Sequence, residues 1–114
     1  MRRLLPTVID VIRAHESNSP STILRAMGIK IHLHNIIFLP DAFFVRLGRM
    51  QSVSIKTTLS EDARNVALAH ELGHIILHHS LDSFVHVDRL SAAQHDEKEL
   101  AANKFAFLLL AHTC

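Results

Sequence analysis

The stretch Ala67-Leu68-Ala69-His70-Glu71-Leu72-Gly73-His74-Ile75-Ile76-Leu77-His78 decides how this chain is read. Ser60-Glu61-Asp62 stands just before it and has the form of a helix start. A serine can cap the first turn, and two acids there favour the helix dipole. The helix so opened is expected to run to about His79. On it, His70 and His74 are one turn apart on the same face, so both imidazoles can converge on one ion. Two neutral imidazoles suit Zn²⁺ at about 2.0–2.1 Å each. Glu71 projects towards the open side of such an ion. There it can take a proton from a water and pass it to a leaving amine, while the metal brings the pKa of that water towards about 7.

Ten histidines and five glutamates make short pattern matches common, so the third ligand has to be argued from context. The long zincin pattern would need glycine and histidine where this chain has Leu77 and Ser80, and that class is excluded. A glutamate from a later helix is the alternative. Glu97 and Glu99 are both available in Asp96-Glu97-Lys98-Glu99-Leu100-Ala101-Ala102-Asn103. Glu99 is favoured, because it pairs at i+4 with Asn103 and points with Ala102 and Phe105-Ala106 towards the packed side. Glu97 falls nearer the polar face, with Asp96 and His95 behind. His78 continues the face of His70 and His74, but about 6 Å further along the axis, which fits a helix-end role better than ligation. His79 and His112 read as surface residues. Zinc hydrolases also need a group to stabilise an oxyanion. With no tyrosine in the chain a histidine or arginine has to serve, and His86 and His95 stay open on that account.

At 114 residues, 48% of them hydrophobic, the chain suits one globular domain spanning 1–114. Twelve basic residues against eleven acidic ones give no electrostatic reason to expect nucleic acid or an anionic membrane as partner. Cys114 is the sole cysteine, so no internal disulfide is possible and a reducing, cytoplasmic setting is expected. Met1-Arg2-Arg3-Leu4-Leu5 begins like a signal peptide, but Pro6, Asp10 and Arg13 interrupt the apolar run. No stretch approaches the roughly 18 uncharged apolar residues that would cross a bilayer.

Upstream, Pro6 to Ala14 carries Val8, Ile9, Val11 and Ile12 and reads as a short helix. Ser19 is a plausible cap and Pro20 a first helical residue for a second one, ending at Gly28. Ile29-Lys30-Ile31-His32-Leu33-His34 alternates as a half-buried strand does, with His32 and His34 on its polar face and expected in solvent. Ala42 to Arg46 and Gln51 to Lys56 read as two more strands around a turn at Leu47-Gly48-Arg49-Met50, with Val53 and Ile55 facing the core. Phe84-Val85-His86-Val87 reads as a short strand or an ordered loop, and a last helix runs from about Ala92 into Leu108-Leu109-Leu110. Helices, small sheet, helix, loop and helix make an α+β domain.

These residues resemble the ImmA/IrrE family of small metallo-endopeptidases. The stretch quoted first is similar to that family's active-site helix, closing histidine included. Glu99-Leu100-Ala101-Ala102-Asn103-Lys104-Phe105-Ala106-Phe107-Leu108-Leu109 is similar to its downstream Glu-x-x-Ala-Asn-x-Phe-Ala motif. The upstream layout of short helix, strand and hairpin is similar too, so the resemblance runs from about Ser19 to Leu110. It implies a small zincin-like domain, zinc ligation by His70, His74 and Glu99, and Glu71 as catalytic base. It also implies a protein substrate, a helix-turn-helix repressor controlling mobile elements, phage or stress genes in bacteria. The family pattern continues into a proline and further residues. This sequence ends at Ala111-His112-Thr113-Cys114, near the minimum for the family, so the expectation is a substrate cleft that either lacks a part or borrows it from a partner.

Two other classes compete. A metal-stabilised interaction protein could displace a repressor without cutting it. A purely structural zinc site, however, needs no base and closes with a fourth protein ligand. A deformylase-like hydrolase would resemble enzymes that take a cysteine from an internal motif, whereas Cys114 is terminal.

Overall fold

Two short helices begin the chain in the computed structural model, which describes residues 4–77 and 92–112. They are α1 (Leu4–His15) and α2 (Pro20–Ala26). α1 buries Leu4, Val8, Val11 and Ile12, one apolar stripe at helical spacing. α2 starts as the sequence predicts: the Ser19 hydroxyl oxygen accepts the Thr22 N–H at 3.4 Å, and Pro20 follows at the first turn. Gly28, at φ +79°, lets the chain leave the helix in a left-handed conformation.

Three strands follow: β1 (Lys30–His34), β2 (Ala42–Leu47) and β3 (Met50–Lys56). Their order in the sheet is β1-β3-β2. β2 and β3 form an antiparallel hairpin in register Leu47↔Met50, turned by Gly48-Arg49 with Gly48 at φ +60°. β1 pairs in parallel with β3, Ile31 opposite Val53 and Leu33 opposite Ile55. Val53 and Ile55 are fully buried, as their alternation predicts. Leu33 shares their face yet is 60% exposed, because that end of the strand looks into a cleft. His32 is exposed as expected, but His34 is engaged. Its Nδ1 accepts the Ile36 N–H at 3.2 Å and its Nε2 donates to the Pro40 carbonyl at 3.0 Å. The ring also leans on Phe43, with centroids 5.6 Å apart.

α3 (Glu61–Leu77) opens under the predicted cap, the Ser60 hydroxyl oxygen accepting the Ala63 N–H at 3.2 Å. Every residue from Glu71 to Ile75 is buried, since α3 packs against α2, against β2 and β3 of the sheet, and against α4 (Ala92–Ala111). α4 contributes Ala102, Phe105, Ala106 and Leu109 to the core and also carries α1. The fold among the described residues is therefore α+β, four helices and a three-stranded sheet. The expected end of the helix near His79 and the expected strand or loop at 84–87 lie outside the described residues. No described helix is long and apolar enough to cross a membrane.

Candidate metal centre

The α3–α4 junction brings together three side chains that the sequence separates. His70 Nε2 lies 2.6 Å from Glu99 Oε2, His74 Nε2 lies 3.3 Å from the same oxygen, and the two ring nitrogens are 3.1 Å apart. Ligand atoms of all three residues fall within 4.8 Å of one another. Donors held 2.0–2.1 Å from a tetrahedral ion stand about 3.3 Å apart, so the cluster has the span that a single cation requires. Two imidazole nitrogens and one carboxylate oxygen are a donor set used at catalytic zinc sites, where a bound ion would keep a further position for water or substrate. These residues could hold a metal ion. Protons compete for the same three atoms, so affinity falls as pH falls.

The tautomer of His70 follows from its second contact. Its Nδ1 lies 2.7 Å from Asn103 Oδ1, and an amide oxygen can only accept. Nδ1 therefore carries a proton, which leaves Nε2 as the nitrogen that would offer its lone pair to a cation held with His74 and Glu99. A hydrogen bond to the far nitrogen fixes ring orientation in this way at metal centres generally.

Glu71 sits beside this cluster and is 6% exposed. Burial, and then the negative charge of Glu99, raise its pKa from 4.5 to about 8. Its Oε1 has no hydrogen-bond partner among the described residues. An isolated buried carboxylate is costly to ionise, and a nearby cation offsets that cost.

Gly73 explains how α4 comes close enough. Glycine inside a helix costs about 1 kcal/mol relative to alanine. A Cβ at position 73 would stand 3.2 Å from Ala102 Cα, Ala102 O and Phe105 Cβ. α4 thus rests on bare α3 backbone at Gly73, one residue before His74, and the same contact sets Glu99 and Asn103 against His70.

Of the residues singled out in the sequence, His70, His74, Glu99 and Glu71 meet at one place. Glu97 is exposed, as expected. His112 is exposed too, its carbonyl accepting a bond from the Asn18 amide at 2.8 Å. His78, His79, His86 and the side chains of His95 and Asp96 lie outside the described residues. Sequence reasoning did not assign the roles of Asn103 and Gly73. Two signals could have found them: an asparagine one turn after the favoured ligand, and a glycine inside a strongly apolar helix.

The family model for the IrrE N-terminal-like domain of the M78 peptidases matches residues 24–113. No curated protein and no solved structure matches the chain. The matched span takes in the whole sheet, α3 and α4, and with them every member of the His-His-Glu cluster. The chain belongs to the IrrE N-terminal-like family of M78 metallopeptidases.

Proposed function

We propose that this chain is a zinc-dependent endopeptidase that hydrolyses a peptide bond in a regulatory protein, a helix-turn-helix transcriptional repressor of a mobile element or stress response. His70, His74 and Glu99 hold the metal, and Glu71 is the general base. The observation that carries this reading is the convergence of three ligand atoms next to the buried Glu71 carboxylate, whose Oε1 has no hydrogen-bond partner among the described residues. Zinc is preferred to manganese or iron on ligand type.

Bound zinc supplies Lewis acidity towards the scissile carbonyl and an acidified water at neutral pH. Glu71 accepts the proton of the attacking water and returns it to the departing amine. Asn103 keeps the His70 ring in the tautomer that faces the site. The low net charge supports a protein as partner in preference to nucleic acid or a membrane surface, and the lone cysteine supports a cytoplasmic setting.

The test compares cells expressing the wild type and Glu71→Gln by labelling protein N-termini. New N-termini confined to the wild type are expected, since loss of a general base lowers the rate about 10²–10⁴-fold. If the variant regulates its target equally well and no cleavage differs, the chain acts by binding and displacement instead.

A further inference from the structure

α3 presents a second face, turned away from the metal cluster, to a cleft. Glu61, Arg64, Asn65 and Leu68 recur at helical spacing, and Leu68 stands about 160° around the axis from His70. This face walls a cleft of about 540 Å³, with Arg25 of α2 opposite and Ile31 and Leu33 of β1 as its floor. The floor is apolar, and Leu33 is left open to water on what is otherwise the core face of the sheet. The walls carry two arginines, Arg25 and Arg64, against one acid, Glu61. Neither Arg25 nor Arg64 forms an ion pair among the described residues, and Arg64 Nε is buried there without a hydrogen-bond partner. An unmatched buried donor is unfavourable, and a carboxylate between two guanidiniums would satisfy it.

The kind of occupant is narrowed by the segment that follows β1 in the chain. Three residues beyond Leu33 begins an apolar run in which Ile36, Ile37 and Phe38 are 42%, 91% and 87% exposed. His34 holds that loop through both ring nitrogens, so its side chains are presented on an ordered support. Exposed apolar surface of this kind, joined to the cleft through Leu33 and His34 in the chain, has the character of a protein interaction site. Nucleic acid fits poorly, because the floor is aliphatic and the lining carries no aromatic ring on which a base could stack.

We propose that this cleft docks a segment of a protein partner, placing an acidic side chain between Arg25 and Arg64 and apolar neighbours on Leu33 and the Ile36–Phe38 loop. Arg64 precedes Glu71 by seven residues, about 10 Å along α3. The cleft therefore serves as a substrate-holding site outside the reacting centre. That role rests on the peptidase reading; the docking itself does not.

A blocked, fluorescent peptide of alternating valine and glutamate tests the docking on the full chain, with zinc and again with chelator. Saturable binding is expected in both, with amide shifts at Ile31, Leu33 and Asn65. Arg64→Gln is expected to weaken it about tenfold, and Arg25→Gln and Ile37→Ser several-fold. Arg25 and Ile37 are exposed, so the last two variants keep the test valid if Arg64→Gln fails to fold. Binding retained in chelator would keep the docking site even if no peptidase activity exists. The proposal is overturned by no saturable binding, by equal affinity for a valine–lysine peptide, or by unchanged affinity in both arginine variants. Tighter binding of a short single-stranded oligonucleotide, or of octanoate, would overturn it equally.

Discussion

His70 and His34 stand on ordered elements, each with both ring nitrogens placed, and only one of them can serve a metal. His34 has both nitrogens taken by the backbone of its own loop, one accepting from Ile36 and one donating to Pro40. His70 has one nitrogen committed to Asn103 and turns the other towards His74 and Glu99. Their surroundings differ in the same sense. The α3–α4 junction buries Glu71 and His74 in apolar packing, whereas the β1–β2 loop exposes Ile37 and Phe38 to water. Both regions break the usual rule of burial, in opposite directions, and each marks a place where the chain is built to meet something else.

The largest effect that would sharpen this contrast concerns Glu71 in metal-free protein. Its folded-state pKa is raised to about 8 from 4.5, so the folded chain keeps a proton that the unfolded chain releases. Stability from this group is full below about pH 4.5 and is lost as pH rises towards 8. Denaturant unfolding in chelator is expected to show a midpoint that falls between pH 5 and pH 8 in the wild type. The fall should be much shallower in Glu71→Gln, and parallel curves would remove the buried-acid account.

Asn103→Ala comes next. Removing the group that orients His70 is expected to lower zinc affinity about 10–100-fold while leaving the fold intact. Competition with a chromophoric chelator measures this, and unchanged affinity would mean that the Asn103 contact is incidental. The smallest effect is expected at the other histidine. His34→Ala should cost about 1 kcal/mol in loop hydrogen bonding and leave zinc binding untouched. A loss of metal in that variant would break the comparison outright.

Local chemistry made much of this legible in advance. The Ser19-Pro20 start, the Gly28 stop, the Ser60 cap and the alternation at Val53 and Ile55 are all decided by neighbouring residues, and the structure has them where the sequence puts them. His70 and His74 share a helix face by arithmetic alone, and Glu99 was reachable because Ala102 and Phe105-Ala106 mark the packed side of its helix. What escaped depends on contacts distant in sequence. Asn103 acquires its role from a residue 33 positions away. Gly73 acquires its role from the backbone of α4. The parallel placing of β1 beside β3, with β3 central, leaves no local mark, and neither does the cleft that exposes Leu33. His32 and His34 look alike in an alternating strand, and only the fold of the following loop separates them.

Zinc content per folded chain, by elemental analysis of metal-supplemented wild type beside Glu99→Ala, tests the central claim most directly. About one zinc in the wild type and strong loss in a folded Glu99→Ala chain are predicted from His₂Glu ligation. A folded wild type without zinc, or a variant that holds it equally well, would contradict the site built at the α3–α4 junction.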